Sequence, residues 1–397
     1  MTDSSRTPGV GVTYPLGFRA AGVVAGQRSG DGPDLALVVN DGADVAAAAV
    51  FTSNRFPAAP VQWSRGVMAS GVTPKVVVLN SGGANACTGQ AGFEQTKATA
   101  EQAAQATECQ PGQVLVASTG LIGRLLKIEP LLEGVIRAAA QLSTRGGADA
   151  ARAIMTTDTR RKTVEIDKTE WRVGGMAKGA GMIAPGLATL LVVVTTDAVT
   201  DDVTAQRVLA GAAEQTFNRI DTDGCMSTND TLVLLASGES GVTPTEDELL
   251  DAVTAACQDL ALQCVGDAEG ASHDIAITVC NAATDDAAVQ VARAIARSNL
   301  FKCAVFGNDP NWGRILSAAG TVPADVAPFD ADAVDVKING VTVCRGGGVG
   351  EPRESVVMAG KRRVDVLVDL HAGSMTATIH TNDLTYDYVR ENAEYSS

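Results

Sequence analysis

Histidine is nearly absent: the 397 residues hold three, at positions 273, 371 and 380. Imidazole bases and imidazole metal ligands are therefore scarce, and no metal site is expected. Aromatic side chains make up 4%, too few for the stacking platforms that bind single-stranded nucleic acid. Basic residues fall short of acidic ones, 31 against 46, which leaves a formal net charge of −15. Neither a nucleic-acid phosphate backbone nor an anionic membrane surface would be attracted to such a chain. No apolar run approaches the length of a bilayer span; Leu190–Val194 is a clean but short one. Eight cysteines are scattered without a C-x-x-C pair, and a chain of this size does not need disulfide staples. Reduced, buried thiols are expected. The opening residues lack a basic stretch followed by an apolar one, so the expectation is no secretory signal and a cytoplasmic location.

What is present is an ordinary globular balance, 45% hydrophobic and 19% charged, long enough for two lobes with separate cores. Helices are expected over Phe93–Thr107 and Glu129–Leu142. Three more are announced by their first turns: Thr200-Asp-Asp, Thr284-Asp-Asp, and Thr245 with Glu248 in capping-box spacing. Lys75–Leu79, Val114–Ala117 and the alternating Ile275, Ile277 and Val279 read as strands. Asn339-Gly340 between two apolar runs favours a tight hairpin. A second hairpin is expected from Val364–Leu370 and Met375–Ile379. The mixture gives a mixed α/β class, with sheets covered by helices.

The segment 174–194, GGMAKGAGMIAPGLATLLVVV, carries the most chemistry. A glycine-rich stretch runs through Ala188 and Thr189 into an apolar run that reads as a strand buried on both faces. A hydroxyl at that strand edge is placed to attack the carbonyl before it. The cut would leave Thr189 with an α-amine of pKa about 7.7–8.0 to act as base for its own hydroxyl. The same residues equally describe a threonine that merely begins a core strand, and spacing alone leaves both readings open.

Several dispersed segments carry a family resemblance. They are Met176–Leu190, Asn80–Gly89, Ser118–Gly123, Ala153–Thr159, Gly307–Arg314 and the tail Tyr388–Ser397. In their order along the chain they closely resemble the ornithine acetyltransferase family, the glutamate N-acetyltransferases of arginine biosynthesis. The resemblance implies a precursor that cuts itself between Ala188 and Thr189. Residues 1–188 then form an α chain and 189–397 a β chain, the two making one folded unit, typically as an α2β2 heterotetramer. It also implies a helix-covered sheet sandwich similar to the aminopeptidase-like N-terminal-nucleophile fold, with a smaller C-terminal αβ lobe.

By the same resemblance, Thr189 is the nucleophile, and Thr119 and Gly120 form the oxyanion hole. Substrate contacts fall on Thr156, Thr157, Lys178, Thr189, Glu269, Asn392 and Ser397. Acetyl passes from N-acetylornithine to glutamate through Thr189 without a cofactor, and some members also take it from acetyl-CoA. Departures from the common pattern are Gly186-Leu187 before the cut site and Ser397 in place of a terminal Thr. Read in isolation, Ser118-Thr119-Gly120 is a common turn and Lys178 a solvated loop lysine. Rival readings are an amidase or aminopeptidase on the same scaffold and an unprocessed amino-acid-binding protein.

Two motifs are set aside. Asp221-Thr-Asp223-Gly224 opens like a calcium loop, yet Met226 and Leu232 stand where Gly and Glu are needed. It reads as a turn, with Ser227–Asp230 bordering the active site. Gly346–Gly350 lacks the Lys-Ser/Thr ending of a phosphate loop and reads as a surface turn.

Overall fold

The computed structural model describes residues 9–184 and 190–394. These form two compact units: one spans the chain to Asn218 with Cys225–Cys264, the other Arg219–Gly224 with the chain from Val265.

The first unit is a sandwich of two sheets. One has the order β1 (Phe18–Val23), β2 (Leu35–Asn40), β4 (Val76–Ser81) and β5 (Val114–Thr119). The other runs β3 (Ala46–Phe51), β9 (Thr231–Ala236), β8 (Leu191–Thr196), β7 (Arg172–Lys178) and β6 (Lys162–Asp167). Strand side chains alternate between faces. Val38, Val77, Leu79, Leu115 and Ala117 from the first sheet thus meet Met176, Leu191, Val193, Val233 and Leu235 from the second. The opposite parity of the first sheet, including Leu37, Val78 and Val116, packs on α2 (Gly89–Ala106) and α3 (Ile128–Ala140). On the second sheet α6 (Glu246–Val265) approaches so closely that a Cβ at Gly175 would lie 3.1 Å from Leu260.

Edge strand β3 would expose unpaired N–H groups. Side chains of α5 (Asp202–Gln215) take them instead, Ala47 N–H donating to Asp202 at 2.8 Å and Ala49 N–H to Gln206 at 3.2 Å. Shorter helices α1 (Ala59–Ala69) and α4 (Gly147–Ala153) complete the unit.

The second unit holds one sheet, ordered β13 (Gly348–Val349), β12 (Val341–Arg345), β11 (Asp335–Ile338), β14 (Arg363–Asp369), β10 (Asp274–Ala282) and β15 (Met375–Asn382). Its core gathers Ile277, Val366 and Ile379 from the sheet with Val291 and Ile295 of α7 (Asp285–Ala296), Phe301 of α8 (Asn299–Phe306) and Ile315 of α9 (Trp312–Ala319). The terminal helix α10 is Tyr386–Glu394. This is the smaller αβ lobe, and with the sandwich it bears out the mixed α/β class.

Local signals held where the chemistry is local. Thr245 and Glu248 close a reciprocal capping box on α6, Thr284 caps α7, and Asn339 and Gly340 take φ of +46° and +88° in the β11–β12 hairpin. Thr200-Asp-Asp does open α5, with Asp201 as its cap and Asp202 in its first turn. The second hairpin is wrong: β14 and β15 do not pair, because β10 lies between them, parallel to one and antiparallel to the other. Gly346–Gly350 is exposed but contains β13, which pairs with β12. No disulfide joins the cysteines of the described residues, yet only Cys257, Cys264 and Cys344 are buried; Cys87, Cys225 and Cys303 are exposed. Among the described residues no helix is long and apolar enough to cross a membrane.

Candidate active site

The same alternation that builds the inter-sheet core ends it with polar side chains. On β5, Leu115 and Ala117 point inward and Thr119 follows in phase; on β7, Met176 points inward and Lys178 follows. The two meet at the end of the layer, Lys178 Nζ lying 3.3 Å from Thr119 Oγ1 with both residues 2% exposed. Lys178 is therefore a buried strand-end cation, not a solvated loop residue. Because an ammonium only donates, the Thr119 hydroxyl accepts from it and keeps its own proton for another acceptor.

Gly120 continues from Thr119 at φ +128°, and a Cβ there would stand 2.6 Å from Gly83 N. Only glycine fits that approach. The contact also links two of the resembling segments: Gly83 N–H donates to Thr119 O at 3.0 Å, and Ser118 Oγ donates to Asn80 Oδ1 at 2.6 Å.

Thr156 and Thr157 lie half-buried in the loop after α4. Thr156 N–H donates to Asp158 Oδ2 at 2.9 Å, while Asp158 Oδ1 receives Lys162 Nζ at 2.6 Å and Gly179 N–H at 2.8 Å. Burial alone would raise the Asp158 carboxyl, but the charges of Lys178 and Lys162 and these hydrogen bonds hold it below the ordinary carboxylate range. The loop carrying the two threonines is thus fastened to the end of β7.

Asp230, just before β9, is fully buried and accepts the N–H of Leu190 at 3.1 Å. Burial pushes its carboxyl well above the ordinary range, against the opposing Leu190 hydrogen bond and the field of Lys178. In the second unit, Asn392 Nδ2 donates to Glu269 Oε2 at 3.0 Å. Gly270 makes this juxtaposition of α10 with the Glu269 loop possible, since a Cβ there would fall 2.2 Å from Tyr388 N.

Lys178 with Thr119, and Glu269 with Asn392, are therefore brought together. Ala188, Thr189 and Ser397 lie outside the described residues. Individual roles for Asp158, Lys162 and Asp230 were missed from sequence, although Asp158 and Asp230 fall within singled-out segments. An acid separated by one threonine from the apolar run Leu232–Ala236 was the available signal for Asp230.

The ArgJ family model matches residues 19–397. The chain belongs to the ArgJ family. The arginine biosynthesis bifunctional protein ArgJ of Streptomyces avermitilis is 58% identical over 386 residues, covering 97% of this chain and 100% of its own. Its namesake in Bifidobacterium longum is 56% identical over 391 residues, covering 97% and 100%. A crystal structure of the ornithine acetyltransferase of Mycobacterium tuberculosis, complexed with ornithine, shares 53% identity over 44% of this chain and 95% of its own, with a TM-score of 0.43. ArgJ membership bears out the resemblance and makes this chain an acyltransferase of arginine biosynthesis.

Proposed function

We propose that this ArgJ chain cuts itself between Ala188 and Thr189 and then moves acetyl from N2-acetyl-L-ornithine to L-glutamate through an acetyl-Thr189 intermediate. The observation that carries the reading is the buried Lys178–Thr119 contact at 3.3 Å, set against the register that pairs Lys178 with Leu191. It gathers a hydroxyl donor and a cation beside the strand that begins two residues after Thr189.

In the first half-reaction the Thr189 hydroxyl attacks the acetyl carbonyl and its α-amine takes the proton. Charge develops on the carbonyl oxygen, for which the Thr119 hydroxyl and the Gly120 N–H are the donors. The acetyl C–N bond breaks, ornithine leaves with the proton, and the amine of glutamate then attacks the ester. Lys178 with Thr156 and Thr157 would hold the substrate's α-carboxylate region, and Glu269, Asn392 and Ser397 its remaining polar groups. The route calls on no metal or organic cofactor. The name borne by the relatives, bifunctional, supports acetyl-CoA as a second donor.

Residues 1–188 and 189–397 share one sheet through the β7–β8 ladder. That pairing supports two chains that stay together after the cut, and we propose their assembly as α2β2 in the cytoplasm. Intact mass spectrometry with and without acetylornithine tests the reading. The expected result is two fragments and an acetyl adduct on 189–397, both lost in Thr189→Ala. A wild-type chain that is uncut and unacetylated, or a Thr189→Ala chain with full transferase activity, rejects it.

A further inference from the structure

We infer that Asp383 is a positioning residue for the Glu269 carboxylate, fastening the Glu269 loop to the root of α10 so that this charge meets the side chain of ornithine. The inference rests on the substrate contact proposed above for Glu269. Glu269 is half-buried in the loop 266–273, which leads into β10, and its partner Asn392 stands on α10. Neither the loop nor the helix belongs to the sheet, so the bonds between them set where the carboxylate sits. Three residues separate the end of β15 at Asn382 from the start of α10 at Tyr386. Two of the three, Asp383 and Thr385, are each 4% exposed and turn to the Glu269 loop.

Asp383 Oδ1 accepts the N–H groups of Ser272 and His273, each at 2.9 Å. Its Oδ2 accepts the Ser272 hydroxyl, and His273 Nδ1 lies 2.7 Å from the same oxygen. A carboxylate only accepts, so the proton of that last bond sits on His273 Nδ1. Two residues further on, Thr385 Oγ1 donates to Gly270 O at 2.6 Å and accepts the N–H of Tyr388 at 3.0 Å. One hydroxyl thus closes the first turn of α10 and holds the residue next to Glu269. Arg362 donates to Gly266 O at 3.2 Å and to Ala271 O at 2.9 Å. It secures the ends of the loop, while Asp383 and Thr385 tie the loop to the chain that enters the helix.

A fold alone does not call for such a joint. Burying a carboxylate costs desolvation that apolar packing avoids, and what the four bonds supply in return is direction. Direction matters to a contact between charges, because its strength depends on where the charge stands. A misplacement of about 1 Å can cost about 10²-fold in a reaction that depends on position.

Steady-state kinetics of Asp383→Asn, Glu269→Gln and the double variant test the inference, with circular dichroism to check folding. Asp383→Asn keeps the shape and one oxygen, but turns an amide toward groups that now donate to a carboxylate. It is expected to raise the apparent KM for acetylornithine about 10-fold and to move that for glutamate by less than about twofold. Added to Glu269→Gln it should bring less than about a twofold further rise, since the charge it positions is already gone. An unchanged KM for acetylornithine, an equal rise for glutamate, or the full factor again in the double variant overturns the inference. Should Asp383→Asn fail to fold, Thr385→Val and Thr385→Ser take its place. Valine is then expected to raise the acetylornithine KM and serine to restore it; no rise with valine, or no rescue by serine, overturns the inference. A Glu269→Gln enzyme with unchanged KM for acetylornithine removes instead the substrate contact on which the inference stands.

Discussion

Lys162 Nζ lies 2.6 Å from Asp158 Oδ1, and both side chains are wholly shut off from solvent. With Gly179 N–H and Thr156 N–H on the same carboxylate, the pair fixes the loop of Thr156 and Thr157 against the strand end that carries Lys178. Removing one partner leaves the other charge buried. Lys162→Met is therefore expected to cost about 3–5 kcal/mol at neutral pH, seen as a lower denaturant midpoint.

Acid should erase that difference. The Asp158 carboxyl is held below its ordinary range in the folded chain, so its stabilising contribution is complete above the unfolded value of about 3.9. It disappears as pH falls through the folded value. The gap between wild type and Lys162→Met should narrow across that acid range, measured by urea titration. A gap unchanged from neutral pH to pH about 3 would show that packing, not charge, makes up the loss.

Thr119 separates orientation from binding. Thr119→Ala removes the hydroxyl that Lys178 orients, and kcat should fall about 10²- to 10³-fold with little change in KM. Thr119→Ser keeps the hydroxyl and should retain most activity. Steady-state kinetics with acetylornithine and glutamate distinguish them; equal loss in both variants would remove Thr119 from the oxyanion site.

Thiol accessibility checks the cysteine assignment without mutation. Cys87, Cys225 and Cys303 are exposed and should react with a soluble disulfide reagent in the native protein. Burial pushes the Cys257 thiol up to about 12, so it should join only after unfolding, with Cys264 and Cys344. Peptide mapping of labelled and denatured samples reads each site.

Features set by a few neighbouring residues were legible in the sequence. The capping box of Thr245 and Glu248 and the Asn339-Gly340 turn need only local geometry. The second hairpin failed because pairing is a non-local choice: β14 and β15 are consecutive in sequence, yet each gains more by lining β10, whose Ile275, Ile277 and Val279 alternate into the same core. Lys178 shows the same limit at the site. Its glycine neighbours suggest a loop, whereas its phase with Met176 turns it inward toward a residue 59 positions away. Asp230 is legible only as a polar residue before a strand until the burial of its carboxyl is seen.

Glu269 offers the test of substrate discrimination. Ornithine ends in an ammonium and glutamate in a carboxylate, so a carboxylate facing that end favours the first and repels the second. Glu269→Gln keeps an oxygen for Asn392 Nδ2, the existing bond of 3.0 Å, so the docking of α10 is preserved while the charge is removed. A hydrogen bond to a charged group contributes about 1.5–3 kcal/mol. The apparent KM for acetylornithine should accordingly rise about 10- to 100-fold, at about 1.4 kcal/mol per tenfold. The KM for glutamate should hold steady or fall. Were both to rise together, Glu269 would be acting on the shape of the site rather than on the ammonium, and its role as the ornithine-selecting charge would be lost.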